Sequence, residues 1–510
     1  MIPIIIINKR KIMDIIKFIK LCLIFSFLTL HANELKVIGP NEIKGLEPTK
    51  SGYIFSRLQI AENLVKVNDK GEILPNLATS WETSADELTW KFKIRPNVKF
   101  QDDTILDAQT VALNLNREDV EEKSILRYLP IEKIDSNNDE LIIKLTSKVS
   151  ILPAYLAHYT TLILSKNSFE NGKVVKFIGT GPFKITNITE PLLIKADRFD
   201  SWWGKTNEVE KLTYNAVGSN ETRALMIKSG DADIAFSILP ISLKSLEKNP
   251  NLDIQTVKIF RTRKLKLNSE DEILKDKNIR HAISYAINRD AIAKGILKDE
   301  SLAATQMFPP ELVAWHNKNI EPLTFNIKKS EELLKNSGWE KQNDGFLYKN
   351  GKKLELELIT YPNWPELPII ATVVQNQLKQ VGIDLKISVT NSSEVVRKHK
   401  DNSLQLALIS KNFTLVPNPL GTIIEDYGEN GGDWGAMNWK NEKMASDLKS
   451  LYEKANLVTQ FEISKILNEE LPSIPLTWSS ITVVSNKKIK NLKIDPFEIS
   501  YNLSDIKFDK

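Results

Sequence analysis

The chain has 510 residues, of which 42% are hydrophobic and 26% charged. These values are typical of a globular protein, and the length predicts roughly two to four structural units. The 69 basic and 65 acidic residues leave a net charge of only +4, which is too balanced to indicate a nucleic-acid partner.

Residues 1–32 have the pattern of a secretory signal peptide. Basic residues between Lys9 and Lys20 precede the apolar run Leu21–Leu30, which is shorter than the about 20 residues of a membrane-spanning helix. We place cleavage after Ala32 and expect a soluble, periplasmic mature protein. Cys22 is the only cysteine of the chain and lies in this segment, so we expect no disulfide and no thiolate site after cleavage.

Short strands and helices alternate along the rest of the chain. Thr89–Arg95 alternates polar and apolar residues, as a half-buried strand does. Asp107–Asn116 reads as a helix with Asp107 as its N-cap. A second strand is predicted at Asp139–Leu145, and a long extended segment at Asp253–Asn268.

The second half of the chain continues this alternation. Helical segments are predicted at Asp276–Gly295 and at Lys328–Ser337, where Gly338 follows as the stop. Further on, the helix Ile370–Val381 lies between the strands Leu354–Ile359 and Ile383–Val389. That order indicates a βαβ unit, and therefore layered α/β lobes.

Four stretches, read in order, resemble the family 5 extracellular solute-binding proteins, which are the oligopeptide-, dipeptide- and nickel-binding components of ABC importers. They are Ala61–Val111, with the run LPNLATSWETSADELTWKFKIRPNVKF; the turn GTGPF at Gly179–Phe183; the run LKLNSEDEILKDKNIRHAISYAINRDAI at Leu265–Ile292; and SEELLKNSGW at Ser330–Trp339. Each stretch alone is a weak signal, but the ordered set spans most of the chain after residue 32.

The resemblance implies an α/β fold, the two-lobed periplasmic-binding-protein clamshell (type II, similar to cluster C) with an extra subdomain in lobe one. We place lobe one at residues 33–257 plus 475–510, with the inserted subdomain at about 76–192. Lobe two is placed at residues 258–474. In such a fold the ligand binds in the cleft, and a hinge lets the lobes close around it.

The implied function is that of the periplasmic substrate-binding component of an ABC importer, which captures a small peptide or a nickel or other metal chelate. The implied partners are this small ligand and the permease and ATPase complex of the inner membrane, with a monomeric binding protein. An alternative is a binding protein that serves chemoreception or chaperoning without transport. An enzyme is not expected, because the sequence has no Gly-x-Ser-x-Gly elbow and no His-Glu-x-x-His helix.

In lobe one, the resemblance to nickel-binding relatives places ligand contacts at Lys123, where they have an arginine, with Arg127 one turn further on. On a helix, these two cations at i, i+4 would share one face. A second arginine position of those relatives falls at Tyr159, beside His158. We therefore predict that Lys123 and Arg127 form an anion pocket, and we take Tyr159 and His158 as further candidate ligand contacts.

In lobe two, peptide binders of the family take the ligand's amino group with an aspartate in an Asp-Pro-like stretch. Here Asn418 stands at that place and brings no charge, so we predict weak binding of ordinary di- and tripeptides. Lys411 is a candidate partner for ligand carboxylates, and carboxylate-rich or opine-like chelates stay open. Three aromatic residues are candidate cleft contacts: Phe413, Trp434 and Trp478.

Histidine spacing argues against a resident metal. His158, His281, His316 and His399 are the histidines after residue 32, and none of them pairs at i, i+3 or i, i+4. We expect neither a structural metal site nor a cofactor, and we retain only His158 as a candidate ligand contact.

Overall fold

The structure is a computed structural model that describes residues 33–362, 364–428 and 431–509. The predicted signal peptide at residues 1–32 lies outside the described residues. Among the helices of the described ranges, none combines the length and the apolar composition that crossing a membrane requires.

The chain up to residue 250 is rich in strands. Its strands are β1 Glu34–Gly39, β2 Val65–Val67, β3 Ile73–Pro75, β4 Ala78–Thr83, β5 Thr89–Ile94, β6 Ile131–Asn137, β7 Glu140–Leu145, β8 Phe169–Glu170, β9 Lys173–Val174, β10 Phe183–Thr189, β11 Leu193–Arg198, β12 Lys211–Ala216 and β13 Ile234–Phe236. Its α-helices are α1 Pro48–Arg57, α2 Ala108–Leu115, α3 Glu118–Lys123, α4 Leu152–Tyr155, α5 Asn220–Ser229 and α6 Pro240–Leu246. Short 3₁₀ turns occur at Ile125–Tyr128, Tyr159–Thr161 and Lys166–Ser168.

The remaining chain is richer in helices. Its strands are β14 Leu252–Leu267, β15 Glu340–Lys341, β16 Leu347–Lys349, β17 Lys352–Lys353, β18 Glu355–Thr360, β19 Asp384–Val389, β20 Leu406–Asn412, β21 Ser473–Asn486, β22 Ile489–Lys490 and β23 Lys507–Phe508. Its α-helices are α7 Lys277–Ala286, α8 Arg289–Ile292, α9 Ile327–Asn336, α10 Glu366–Gln380, α11 Ser393–Lys400, α12 Pro419–Tyr427, α13 Glu442–Glu453 and α14 Leu457–Glu470. A π-helical turn lies at Ala293–Leu297, and 3₁₀ turns lie at Glu300–Leu302 and Leu503–Asp505.

Ten of the described strands form one sheet in the order β10–β11–β12–β1–β13–β21–β14–β20–β18–β19. Its centre is the long antiparallel pair of β14 and β21, which runs from Leu252 opposite Asn486 to Lys266 opposite Ser473. One end of this pair contacts β13 and the other end contacts β20. The register shifts between Ile259 and Thr262, midway along the pair. A bulge at such a place bends a strand, and this irregularity between the two lobes is called the hinge below.

Separate hydrophobic cores lie on the two sides of this hinge. Lobe one, as the term is used below, is built around a core with residues from 35–259 and 481–506. A second core of lobe one, almost all from residues 64–163, packs under the four-stranded sheet β4–β5–β7–β6. Lobe two is built around a core with residues from 265–476. The two-lobed α/β architecture is therefore confirmed.

Most predicted elements are confirmed within a residue or two. The predicted strand at Thr89–Arg95 is β5, and its inward residues Trp90, Phe92 and Ile94 are buried. Asp107 caps α2 by accepting the backbone N–H of Thr110. The predicted extended segment Asp253–Asn268 is β14, and the predicted βαβ unit is β18–α10–β19, whose strands are parallel.

One predicted helix is wrong as a continuous element. The stretch Asp276–Gly295 is divided into α7, α8 and a π-helical turn. Asn288 causes the break, because its backbone is extended and its side chain accepts the N–H of Ala291 as the N-cap of a new helix.

The turn Gly179–Phe183 packs against residues 59–61 so closely that a side chain at Gly181 has no space. A Cβ added there would lie 2.1 Å from the backbone oxygen of Gln59. The Gln101 carboxamide fixes this contact by donating to the carbonyls of Ile60, Gly181 and Phe183 at 2.8, 3.1 and 2.8 Å.

We therefore expect Gly181→Ala to lower the free energy of unfolding by about 1–3 kcal/mol or more, since backbone would have to move. Denaturant unfolding followed by circular dichroism measures this. Gly218→Ala is the matched control, because a Cβ at Gly218 meets nothing within 4 Å. Equal stability of the two variants would contradict the packing described.

Candidate functional site

A cavity of about 270 Å³ lies between the two lobes, in front of the hinge. Its lobe-one wall comes from the end of α3, the following 3₁₀ turn and the turn after α4. Its lobe-two wall comes from the ends of β18 and β20 and from α12. The residues that line it are Thr49, Lys123, Ser124, Ile125, Arg127, Tyr128, His158, Tyr159, Thr160, Arg261, Tyr361, Ser410, Lys411, Asn412, Leu415, Thr422, Glu425 and Trp434.

The lobe-two wall follows from the sheet topology. Strands β18 and β20 run parallel, so their carboxyl ends meet at one edge of the sheet. Tyr361 follows β18 directly, and Ser410, Lys411 and Asn412 end β20. Ligands bind preferentially at such carboxyl ends in open α/β sheets. Helix α12 then returns across this edge and brings Glu425 to the cavity.

The lobe-one wall contains Lys123 and Arg127, but not on one helix as predicted. Helix α3 ends at Lys123, Ser124 is extended, and Arg127 lies in the separate 3₁₀ turn. The expected i, i+4 arrangement is therefore wrong, because Ser124 starts a new turn by accepting the N–H of Leu126. Both cations nevertheless line the cavity.

Most of the cavity's cations already have carboxylate partners. Lys411 Nζ lies 2.6 Å from Asp426 and 3.2 Å from Glu425. Fully buried Asp426 also pairs with Lys264 at 3.2 Å. Burial alone would lower the pKa of Lys411, but Asp426 and Glu425 raise it above its ordinary value. Lys411 is therefore a charged residue whose charge is balanced within the protein.

Arg127 differs from the other cations of the cavity. Its guanidinium donates to the Tyr128 hydroxyl and stacks over the Tyr128 ring, 4.7 Å from the centroid. No carboxylate of the described residues lies within salt-bridge distance of it. The pKa of Arg127 is raised, because Tyr128 and the carboxylates of Asp433 and Glu425 outweigh the opposing effect of burial. Arg127 therefore lies close enough to the lobe-two carboxylates to be influenced by them, without an ion pair to either.

His158 presents an N–H group to the cavity. Its Nδ1 accepts the backbone N–H of Thr160 at 3.2 Å and contacts the Thr160 hydroxyl at 2.8 Å. In the neutral ring the proton is then on Nε2. Burial, with a smaller effect from Lys411, lowers the pKa of His158 to about 3. The side chain is therefore neutral at physiological pH, and in this tautomer it can donate a hydrogen bond from Nε2.

Aromatic rings complete the walls. Tyr159 packs against the His158 ring at 4.1 Å between centroids. On the opposite wall Trp434 meets Tyr361 edge-on at 5.9 Å. The segment that carries Trp434 is held in place by a hydrogen bond, because buried Lys266 donates to the carbonyl of the next residue, Gly435, at 2.6 Å. Burial lowers the pKa of Lys266 to about 7.

Six of the nine predicted contacts meet at this cavity: Lys123, Arg127, His158, Tyr159, Lys411 and Trp434. The structure places the other three outside its lining. Phe413 is buried against Phe308, with ring centroids 5.0 Å apart. Asn418 caps α12 by accepting the N–H of Leu420. Trp478 donates from its indole to the carbonyl of Gln306.

Sequence reasoning missed several residues of the site, above all Arg261, Tyr361 and Glu425. Arg261 lies in the basic run RTRKLKLN of β14, and this cluster in a buried strand was a usable signal. Glu425 follows Pro419 by six positions, and the Asn-Pro start of α12 was a helix signal that would have placed it on a helix facing the cleft.

Two larger cavities lie elsewhere, with volumes of about 450 and 530 Å³. Residues of lobe one alone line both of them, so closure of the lobes would not enclose a ligand there. In the part of the chain that the structure describes, no group of three or more His, Cys, Asp or Glu residues is arranged to hold a metal ion.

Comparison with known proteins finds relatives over most of the chain. The family model described as "Bacterial extracellular solute-binding proteins, family 5 Middle" matches residues 72–433. The glutathione-binding protein GsiB of Salmonella paratyphi A is 25% identical over 506 residues, which cover 93% of this chain and 94% of that protein.

Two solved structures show the same fold. NikA from Staphylococcus aureus, in complex with Ni(L-His)2, superposes with a TM-score of 0.82 at 23% identity, covering 94% of this chain and 100% of that chain. The oligopeptide-binding protein AppA from Bacillus subtilis, in complex with a nonapeptide, also gives 0.82, at 22% identity, covering 94% and 99%.

The low pKa of His158 predicts a pH effect on stability. In the unfolded chain the imidazole takes a proton near its ordinary value of about 6.5, but in the folded protein only near 3. Folding is therefore penalised as the pH falls through this window. Between these limits, protonation of His158 lowers the free energy of unfolding by up to about 1.4 kcal/mol for each pH unit.

We expect His158→Asn, which keeps an acceptor for the Thr160 N–H, to lose less stability than the parent between pH 6.5 and 4. Urea unfolding at a series of pH values measures both slopes. His399, whose pKa burial lowers to about 4, contributes to the parent and the variant alike. Parallel curves would show that His158 is not held neutral.

Proposed function

We propose, since the chain belongs to family 5 of the bacterial extracellular solute-binding proteins, that it captures a small zwitterionic solute in the interlobe cavity for uptake by an ABC importer. The ligand carries a carboxylate at one end and a cationic amine at the other. A short peptide meets this description. An amino-acid chelate of a metal meets it in part, because it carries carboxylates but its amines bind the metal as neutral donors and its positive charge lies on the metal.

The arrangement of charge across the cavity carries the proposal. Lobe one offers the guanidinium of Arg127 and the Nε2–H of His158. Lobe two offers Glu425, whose Oε2 pairs with Lys411 and whose Oε1 has no hydrogen-bond partner among the described residues. A ligand carboxylate fits the first wall, and a ligand ammonium fits the second.

Glu425 also affects the prediction that ordinary di- and tripeptides bind weakly. That expectation rested on Asn418 in place of an acid, and Asn418 lies outside the cavity lining. Glu425 supplies a carboxylate in lobe two from about two turns further along α12. We therefore propose that amine-bearing ligands remain acceptable to this cleft.

Neighbours of known ligand support this class. The names of the relatives give glutathione for GsiB and Ni(L-His)2 and a nonapeptide for the NikA and AppA complexes. Each of these ligands is built from amino acids and carries carboxylate groups. The alternative role in chemoreception or chaperoning without transport is not favoured by these relatives.

The remaining features of the proposal follow from family membership. We infer a periplasmic monomer that hands its ligand to a permease and ATPase complex in the inner membrane, and that catalyses no reaction. The lobe division at 33–257 plus 475–510 and 258–474 is kept, with the hinge at the register shift of β14.

Arg127 is exposed in this structure, and we propose that closure of the lobes on a ligand buries its guanidinium. Arg127→Ala should then weaken binding by about thirty-fold or more, because a buried charge partner typically contributes roughly 2–5 kcal/mol. Glu425→Gln should weaken binding of amine-bearing ligands more than that of N-acetylated ones. Isothermal titration with glutathione, a dipeptide panel, and Ni(II) with two equivalents of L-histidine measures both effects.

Arg397→Ala is the matched control, because Arg397 is an exposed arginine of α11 that pairs with Glu394 and Asp401. It should bind as the parent does. If Arg127→Ala and Glu425→Gln both bind a ligand of the parent unchanged, the zwitterion proposal is wrong.

A further inference from the structure

The segment after β22 forms a tight loop that turns one carboxylate into the protein. Asp495 builds the loop by accepting the backbone N–H groups of Phe497, Ile499 and Ser500 at 2.8, 2.8 and 3.0 Å. Within it Glu498 has a φ of 62°, in the left-handed region that residues other than glycine seldom adopt. Such a conformation persists where the surrounding contacts demand it.

The loop belongs to lobe one. Tyr501 stacks on Phe236 with ring centroids 3.7 Å apart, and its N–H donates to the carbonyl of Arg57. Arg57 in turn donates from Nε to the carbonyl of Glu498 at 2.9 Å. Glu498 is therefore fixed to the body of lobe one.

The Glu498 carboxylate nevertheless bonds mainly to lobe two. Its Oε2 accepts from Arg261 Nε at 3.0 Å and from Asn412 Nδ2 at 2.9 Å, and Arg261 Nη2 lies 2.9 Å away. Arg261 and Asn412 face each other across the β14–β20 pair. The Glu498 side chain is 4% exposed, so this charge pair is shielded from water and strongly directional.

These partners are also the back wall of the cavity. Arg261, Ser410 and Asn412 all line it, and Arg261 Nη1 donates to the carbonyl of Ser410 at 3.0 Å. Arg261 itself lies at the register shift of β14. The Glu498 carboxylate thus connects lobe one with the hinge and with the back wall of the cavity.

We propose that Glu498 is a positioning residue of the binding site, whose charge holds Arg261 and Asn412 in the cavity wall and couples closure of the lobes to ligand binding. It does not reach the ligand. Without its charge the two lobes lose their buried ionic connection at the hinge, so open arrangements gain population and the cavity wall loses its order. This inference depends on the proposed function only for its second test, the measurement of ligand binding.

The first test measures the distance between the lobes without any ligand. Spin labels at Lys228→Cys in lobe one and Lys335→Cys in lobe two, both exposed positions, report it by double electron–electron resonance. Cys22→Ser removes the chain's only cysteine. We expect Glu498→Gln to shift the distribution to longer distances and to broaden it.

Glu366→Gln is the matched control. Glu366 is equally buried and pairs with Arg263, two residues along the same strand from Arg261. Glu366 and its partner Arg263 both belong to lobe two, so loss of this pair should lower stability without changing the interlobe distance. An unchanged distribution in Glu498→Gln, or an equal shift in Glu366→Gln, overturns the proposal.

The second test is binding of glutathione, and of Ni(II) with L-histidine, to the same variants. We expect Glu498→Gln to weaken binding by about tenfold or more and Glu366→Gln to change it less than about twofold. If neither probe binds the parent, the distance measurement alone decides. Failure of the proposed ligand class is thereby separated from failure of this inference.

If Glu498→Gln does not fold, Asn412→Ala replaces it. This variant keeps the carboxylate and removes the amide that donates to it from lobe two. We expect the same shift to longer distances.

Discussion

The long antiparallel pair of β14 and β21 is the constraint on which the rest of the molecule depends. Its two strands pass from one lobe to the other within a single sheet, so both lobes share one hydrogen-bonded axis. The register shift between Ile259 and Thr262 lies in the middle of that axis, where a bulge lets a strand bend. The cavity lies beside this point, and we propose that rotation of the lobes about it brings the opposite walls of the cavity together.

Charge pairing around the cavity follows from burial. A cation without a partner in such a place is costly, and the structure provides carboxylates for Lys411, Lys264 and Arg261. These pairs fix the walls and leave little charge for a ligand to neutralise. We propose that the chemistry open to a ligand is concentrated in Arg127, His158 and Glu425. Their separation on two walls is the reason for proposing a zwitterion rather than a simple anion.

Local patterns predicted the scaffold well, because capping and alternation act over a few residues. Asp107 and the alternating run of β5 are examples. The residues of the binding site were harder to predict from the sequence. Strand β20 is buried on both faces, so alternation could not assign Lys411 to the cavity. Phe413 comes directly after the strand and packs in a hydrophobic core. Glu498 lies 237 positions from Arg261, and no local sequence pattern reports such a pair.

The central claim is that the interlobe cavity selects a small solute with both a carboxylate and an amine. Its most direct measurement is native mass spectrometry of the protein purified without denaturation, followed by identification of the released ligand. The account predicts a co-purified molecule that carries both groups, free or as a metal chelate, and that is absent from Arg127→Ala purified in parallel. A ligand without a carboxylate, or one retained equally by Arg127→Ala, would contradict it.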